Sequence, residues 1–374
     1  MTAVMVCGGT AGHINPALSV AAKIREKFPE SKIYFIGADR ELEKRLVPAA
    51  GYELFNMKMT GVRRGFKPAD ILYNVKTVLY TFVAERKSKK LLTQLKPDFV
   101  FGTGGYICYP VMKKALKMGI PTYAHESNAV PGMVIRLLSR SLNKIFVTYE
   151  GSKSNYSNPE KVFCTGMPIR AEFAEILDES HMDRAKISDE KPLVVSFWGS
   201  LGSSKMNDLM PEIIKRNLEE KCFHHIHSAG GNIKELIDKL SELGVEDTSQ
   251  PYADIREYIS DMPGVLTQAS LVVCRAGGST LAELTATFKP ALLVPSPYVV
   301  DNQQIENAKL LEKTGAVVTI AERDCTSERL FSEIKFLLSD ADKLKTMEIA
   351  QKSMYNGDAS EKILDIILQE LKLC

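Results

Sequence analysis

Four stretches of this 374-residue chain place glycine and small polar residues directly after a short apolar run. They are Gly8-Gly9-Thr10-Ala11-Gly12-His13, Gly102-Thr103-Gly104-Gly105-Tyr106, Gly199-Ser200-Leu201-Gly202-Ser203 and Ala276-Gly277-Gly278-Ser279-Thr280. Glycine lets backbone come close to a ligand, and a helix starting there aims unpaired N–H groups and a partial positive charge at it. A phosphate oxygen gains ~0.3–1 kcal/mol at such an end, more where the site is partly buried. One loop of this kind serves as often to turn the chain as to hold an anion. Four of them, split between two halves of the chain, point to a phosphate-bearing ligand. None reads G-x-x-x-x-G-K-[ST], and none reads G-x-G-x-x-G with an acidic residue ~20 positions on, which disfavours P-loop NTPases and dinucleotide dehydrogenases. His13 follows the first loop at an expected helix start, and an ordinary pKa near ~6.5 suits it to proton transfer at neutral pH.

Such loops need strands to end on and helices to begin. Short apolar runs alternate with amphipathic stretches along most of the chain, the pattern of parallel α/β units. Buried strands are expected at residues 3–7, 32–36, 99–101, 122–125, 144–147 and 161–164, with a second set at 193–198, 224–228, 271–274, 291–294 and 317–320. Each set suffices for one doubly wound sheet. Gly166-Met167-Pro168-Ile169-Arg170 interrupts the pattern, and a polar, acidic stretch leads from there to Lys191. The expected architecture is α/β, with one Rossmann-like domain over 1–168, a second over 169–352, and parallel sheets facing a central cleft. Ile363, Ile366, Ile367 and Leu371 keep helical spacing, so a closing helix at about 353–374 is expected to pack back on the first domain. Ligands of open α/β sheets lie beyond the carboxyl ends of the strands, where the glycine loops fall.

Composition narrows the class. With 45% hydrophobic and 25% charged residues the chain can bury a sizeable core, and its net charge of +2 gives nucleic-acid binding no support. Seven cysteines lie scattered without a C-x-x-C pair, which fits reduced thiols in cytoplasm better than disulfides or zinc. Neither a secretory signal nor an apolar stretch of the ~20 residues that a membrane span needs is evident.

With these loops in order, the chain closely resembles the MurG family of transferases, which convert lipid I to lipid II. The resemblance runs over nearly the whole length. It is carried by GGTAGHINP at 8–16, by residues 104–110 followed by His125-Glu126-Ser127-Asn128 and Pro131-Gly132, by CRAGGSTLAE at 274–283 and by VPSPYVVDNQQIEN at 294–307. It implies a GT-B fold, with acceptor and membrane handled by the N-terminal half and the donor nucleotide lying mainly on the C-terminal half. The implied reaction is inverting transfer of N-acetylglucosamine from UDP-N-acetylglucosamine to the C4 hydroxyl of the muramyl sugar of undecaprenyl-pyrophosphoryl-MurNAc-pentapeptide. It implies a peripheral protein at the cytoplasmic face of a bacterial membrane, no cofactor, and other wall-synthesis or division proteins as further partners.

Carried over residue by residue, the resemblance puts Thr10, Ala11 and Gly12 on the donor side of the first loop, and Asn128 and Arg170 towards the donor. Ser200 would lie at the pyrophosphate and Ile259 against the uracil. Gly278, Ser279, Thr280, Leu281, Ala282 and Glu283 would wrap phosphates and ribose, Glu283 accepting from ribose hydroxyls. Gln303 and Gln304 would bind sugar hydroxyls, work for which carboxamides are suited; taken alone, the two read as surface residues. The chain departs from the family at Ala11 (a glycine in GGTGGH), Ser127 (a glutamine in HEQN), and Trp198 with Leu201 (within GGSQGA).

Inverting transfer needs a base for the attacking hydroxyl and stabilisation of the departing diphosphate. His13 is the leading candidate base, against a reading in which it only donates a positioning hydrogen bond. His125 and Glu126 rank second, each with a structural role as the alternative. Helix N-termini and Arg170 would meet the leaving-group charge. Asp340 and Asp342 have D-x-D spacing but fall in an amphipathic helical stretch, so no protein-bound metal is expected. His224, His225 and His227 lie on an expected strand and are expected to pack. Over 67–92, Ile71, Leu72, Val75, Val78, Leu79 and Phe82 sit three and four apart beside Lys67, Lys76, Arg86, Lys87, Lys89 and Lys90, a pattern suited to an anionic membrane surface. The competing reading is a core-packed helix with a solvated basic end. Rival functions are transfer to another lipid such as diacylglycerol, a UDP-N-acetylglucosamine 2-epimerase, and a weakened paralogue that only binds the sugar nucleotide.

Overall fold

The computed structural model describes residues 1–63, 65, 67–170, 172–173, 191–199 and 202–373. They group into two compact units, Met1–Ala171 with Asn356–Cys374, and Glu172–Tyr355. The first holds strands β1 (Thr2–Cys7), β2 (Lys32–Ala38), β3 (Glu53–Met57), β4 (Phe99–Gly102), β5 (Thr122–Glu126), β6 (Lys144–Val147) and β7 (Val162–Cys164). They form one sheet, β3-β2-β1-β4-β5-β6-β7, in which every pairing is parallel. Ala3 to Cys7 are buried without a break because helices cover both faces of a parallel sheet. One face packs α1 (Ala11–Lys27) and the Ala359–Leu371 helix, whose Ile363, Leu364, Ile367 and Leu368 share a core with Ile14, Val20 and Ile24. Lys27 bonds Asp365 at 2.6 Å along that seam. The other face packs α4 (Cys108–Lys117) and the C-terminal half of α3 (Pro68–Leu95) through Ala84 and Leu92.

The second unit repeats the plan with β8 (Leu193–Phe197), β9 (His224–Ser228), β10 (Ser249–Gln250), β11 (Ala253–Arg256), β12 (Leu271–Cys274), β13 (Ala291–Leu293) and β14 (Val317–Thr319). Their order is β10-β11-β9-β8-β12-β13-β14, parallel except for the β10–β11 pair. The expected fold class, two Rossmann-like parallel sheets, is what the chain adopts. Three strands were missing from the sequence reading: β3, β10 and β11. ELFNM, SQ and ADIR carry too many polar residues for a buried run, and they sit at or next to sheet edges where such residues meet solvent.

Candidate functional site

In each unit the chain builds outward from its first strand to one side and then crosses to the other. That reversal lies between β1 and β4 in the first sheet and between β8 and β12 in the second. All four glycine loops leave the carboxyl ends of those strands, where open α/β sheets bind ligands.

In the first unit the two loops lie against each other. Gly8-Gly9-Thr10 leads into α1, and Gly9 turns the chain at φ +98°. His13 Nδ1 is 3.1 Å from the Gly8 carbonyl oxygen. A carbonyl only accepts, so this bond puts the imidazole proton on Nδ1 and leaves the Nε2 lone pair for other work. Thr10 Oγ1 stands 3.3 Å from the same Nδ1. Burial lowers the His13 pKa, with the Gly8 bond opposing, so the ring is neutral at physiological pH. The β4 loop closes over it: Thr103 Oγ1 donates to the His13 carbonyl at 2.5 Å. Gly104 (φ +109°) has room for no side chain, since a Cβ would lie 2.6 Å from the His13 ring. From beneath, Gly9 N–H donates to Glu43 Oε1 at 2.7 Å. Glu43, on α2 (Glu41–Ala49), is 0% exposed.

The β5 end supplies His125 and Glu126, both buried. His125 Nε2 bonds the Gly166 carbonyl at 3.0 Å, and burial drives the ring to a pKa of about 4. Glu126 Oε1 accepts from the Asn128 amide at 3.1 Å and from Asn128 Nδ2 at 3.0 Å, while Oε2 accepts from the Gly132 amide at 2.7 Å. Burial raises the Glu126 pKa and those bonds pull it back. A carboxyl committed to three donors holds its loop and orients Asn128. Ser127 is buried, with no hydrogen-bond partner for its hydroxyl among the described residues. Arg170 is half-buried.

The second unit is tied differently. Arg275, directly after β12, is buried; its Nη1 donates to the Val294 carbonyl at 2.9 Å and its Nη2 to Ser203 Oγ at 3.2 Å. Glu322 neutralises it at 2.6 Å. Despite the cost of burial, bonds from Lys205 and Arg275 hold the Glu322 carboxyl below its usual range. The Gly278–Ala286 helix then starts from Gly277, which has no side chain to cap it. The amides of Gly278, Ser279 and Thr280 have no intrahelical acceptor, and none is bonded to another backbone group among the described residues. Ser279 Oγ is buried beside them without a partner among those residues. Thr280, Ala282 and Glu283 are half-exposed on this helix. Leu281 differs: its side chain is in the core and its amide bonds Gly277 O at 3.0 Å, so it supports the helix rather than presenting a group.

Gln304 Oε1 accepts from the Ser296 amide at 2.8 Å, pinning the turn before it, and Gln303 opens its helix half-exposed. Asp301 and Asn302 precede them at φ 54° and 53°, a costly pair of left-handed non-glycine residues. Asn307 Nδ2 bonds the Ala276 carbonyl at 3.2 Å and joins this helix to the loop after β12. Ile259 is 1% exposed, so its side chain packs. Ser200 and Leu201 lie outside the described residues. The three strand histidines are buried: Ser196 Oγ bridges His225 Nε2 at 2.8 Å and His227 Nδ1 at 2.7 Å, and the His224 ring meets Tyr252 edge-on. Asp340 caps a helix by accepting from the Lys343 amide at 2.8 Å. Among the described residues no cluster of His, Cys, Asp and Glu could hold a metal ion.

Sequence reasoning missed Glu43 and Glu322, and gave no role to Thr103 or Arg275 although both lie in the stretches it singled out. Glu43 did leave a signal, being four residues from Val47, the other buried residue of α2. On α3, Ile71, Leu72, Val75, Val78, Leu79, Phe82 and Val83 are all exposed, Phe82 by 63%. The 58–63 segment is strapped along the helix, Arg63 and Asn74 exchanging bonds at 2.9 and 2.8 Å. No described helix is long and apolar enough to cross a membrane.

Residues 3–147 match the glycosyltransferase family 28 N-terminal domain and residues 193–363 the glycosyltransferase family 28 C-terminal domain. A UDP-N-acetylglucosamine–N-acetylmuramyl-(pentapeptide) pyrophosphoryl-undecaprenol N-acetylglucosamine transferase of Acetivibrio thermocellus is 39% identical, covering 100% of this chain and 99% of that protein. One of the same name from Listeria monocytogenes is 34% identical, covering 98% of both. The crystal structure of Acinetobacter baumannii MurG matches with a TM-score of 0.73 at 25% identity, over 99% of this chain and 100% of that one. A UDP-GlcNAc 2-epimerase from Neisseria meningitidis bound to UDP-GlcNAc shares the fold, with a TM-score of 0.68 at 15% identity over 99% and 100% of the two chains.

Proposed function

Since the chain belongs to glycosyltransferase family 28 and, within it, to the MurG transferases, we propose that it transfers N-acetylglucosamine from UDP-N-acetylglucosamine to lipid I, forming lipid II. The observation that carries this reading is the full-length match to transferases of that name.

The muramyl C4 hydroxyl oxygen attacks C1 of the donor sugar from the side opposite the diphosphate. Its proton passes to His13 Nε2, which the Gly8 bond leaves unprotonated. The C1–oxygen bond breaks, UDP departs with the electron pair, and the anomeric centre inverts. The free amides of Gly278, Ser279 and Thr280 receive the diphosphate and stabilise its growing charge, with Ser279 Oγ as a further donor. Glu283, half-exposed one turn later, accepts from ribose hydroxyls. Ile259 serves the uracil through its backbone, as its side chain is spent on packing. Gln304 keeps its Nε2 for the sugar while Oε1 holds the turn. Asn128, oriented by Glu126, contacts the substrates. These steps use protein groups alone.

The lipid acceptor brings the protein to the cytoplasmic face of a membrane as a peripheral protein. The exposed apolar residues of α3 enter the boundary of an anionic bilayer, and Lys67, Lys76, Arg86, Lys89 and Lys90, all exposed, face its charge. The test is direct: purified protein is incubated with UDP-N-acetylglucosamine and either a lipid I analogue or diacylglycerol. Release of UDP with a β-linked disaccharide product from lipid I alone is the expected result. Turnover on diacylglycerol, epimerisation of the donor, or nucleotide binding without turnover would overturn the assignment.

A further inference from the structure

The peptide between Gly8 and Gly9 is hydrogen-bonded on both sides. Its N–H donates to Glu43 Oε1 at 2.7 Å, and its C=O accepts from His13 Nδ1 at 3.1 Å. The bond is trans, so the two groups point in opposite directions and carboxyl, peptide and imidazole lie in series. We propose that Glu43 is a positioning residue for His13, acting through this one peptide group and touching neither the imidazole nor the substrate.

An acceptor on the N–H side polarises the amide and makes its oxygen a stronger acceptor, because bonds in a chain reinforce one another. The stronger that oxygen, the more firmly the proton stays on Nδ1 and the lone pair on Nε2. Once Nε2 has taken a proton from substrate, the same bond becomes charge-assisted and the carboxylate behind it stabilises the new positive charge. An aspartate touching the imidazole would do this more strongly and would raise the pKa further. Interposing a peptide gives a gentler pull, which suits a base that must stay neutral until it reacts.

Three features make this a built arrangement. Glu43 is wholly buried, and its Oε2 has no hydrogen-bond partner among the described residues. Burying a carboxyl with one oxygen unsatisfied is costly, and a side-chain amide or hydroxyl could accept one N–H for less. The peptide is also held in this orientation: Gly9 is in the left-handed region, and a Cβ on Gly105 would lie 2.1 Å from the Gly8 oxygen. A Cβ on Gly8 would come within 2.9 Å of Glu43 Oε1 and 3.2 Å of the Ala38 amide nitrogen, so a larger residue there would displace the carboxyl. Among the described residues, Cys7 at the end of β1 and Cys108 at the start of α4 face this core, two thiols whose pKa values burial pushes up and which therefore stay neutral. Thr10 Oγ1 also stands 3.3 Å from the imidazole Nδ1.

The inference rests on His13 as the base, so the experiment reads the Glu43–His13 link and catalysis separately. Full-length protein carrying ¹⁵N-histidine is titrated by NMR as wild type, Glu43→Gln and Glu43→Met, alongside kcat, KM for UDP-N-acetylglucosamine and UDP affinity. In the wild type His13 carries its proton on Nδ1. Glu43→Gln keeps an acceptor for Gly9 but not the charge; it moves the His13 titration about half a pH unit lower and reduces kcat by about tenfold, as loss of an orienting partner does. KM for the donor and UDP affinity stay within about twofold, since no donor group is touched. Glu43→Met, which abolishes the acceptor, loses more kcat than Glu43→Gln. An Nε2–H tautomer in the wild type overturns the proposal even if neither variant folds. So does an unmoved His13 titration in Glu43→Gln, or a fall in UDP affinity that matches the fall in kcat. If His13→Gln keeps its kcat, the base assignment fails, while the NMR titration still decides whether Glu43 acts on His13.

Discussion

The two units share a sheet that reverses direction of growth after its first strand and carry glycine loops at that point, yet the groups bracing those loops have opposite hydrogen-bonding character. In the first unit the braces are acceptors: Glu43 takes the Gly9 amide, and Glu126 takes those of Asn128 and Gly132. In the second the brace is a donor: Arg275 takes the Val294 carbonyl and the Ser203 hydroxyl, and the amides of Gly278, Ser279 and Thr280 remain open. The Gly9 amide is lost to an anion, and the carboxyl that takes it makes that loop a poorer seat for negative charge and a good support for a neutral histidine. A loop with open N–H groups is the reverse. Glu322 cancels much of the Arg275 charge, so the direction of hydrogen bonding, more than net charge, sets the contrast. The fold offers the same position twice, and the residues behind it decide which chemistry each copy takes.

The largest expected effect lies in the first unit. His13→Ala lowers kcat by ~10²–10⁴, with KM for UDP-N-acetylglucosamine within about twofold. Steady-state kinetics in which donor KM rises as steeply as kcat falls would erase the division of labour. Next comes Arg275→Met in the second unit. It leaves Glu322 buried against Lys205 alone and costs ~3–5 kcal/mol of stability, read by denaturant titration. UDP affinity measured calorimetrically on the folded fraction drops more than lipid I affinity; an equal drop in both would break the comparison.

Acid should separate the two units less sharply. His125 in the first and His225 in the second are held near a pKa of about 4 by burial, and His227 lower still. Each folded pKa lies below that of the unfolded chain, so the unfolded state binds protons first. The stability is fully present above pH ~6.5 and is lost as pH falls towards 4. A shift of that size is worth about 3 kcal/mol per buried histidine. The second unit, with two such residues bridged by Ser196, opens before the first. Hydrogen exchange followed from pH 7 to 4 checks the order, and His225→Phe should flatten the dependence in the second unit alone. The smallest effect concerns α3: Leu79→Ser with Phe82→Ser weakens binding to anionic vesicles about tenfold, leaving UDP affinity unchanged. Co-sedimentation indifferent to that pair would return α3 to an ordinary surface helix.

The sheets and loops were legible because glycine punctuation and unbroken apolar runs are local signals. Residues 144–147, 224–228 and 271–274 are strands with the bounds read from sequence. The bracing residues were not legible, because each meets its loop through chain distant in sequence. Glu43 stands 34 positions from Gly9 and within ELEKRLVPA looks like one more helix charge. Arg275 and Glu322 lie on different elements, and neither type is ordinarily buried without a partner. Leu281 and Ile259 were read as ligand contacts from their place in a motif. Burial shows that their side chains support the site from within, something a motif cannot distinguish. The departure at Ala11 has a mild outcome, since the residue starts α1 half-exposed.

If open amides of the second unit hold the donor diphosphate while the carboxyl-braced loop of the first serves the base, bound nucleotide lies on the second unit's loop. A crystal structure of the protein with UDP tests it most directly. Diphosphate oxygens within hydrogen-bonding distance of the Gly278, Ser279 and Thr280 amides are the expected result. A diphosphate seated instead on Gly9, Ala11 and Gly12 at the head of α1 would contradict it.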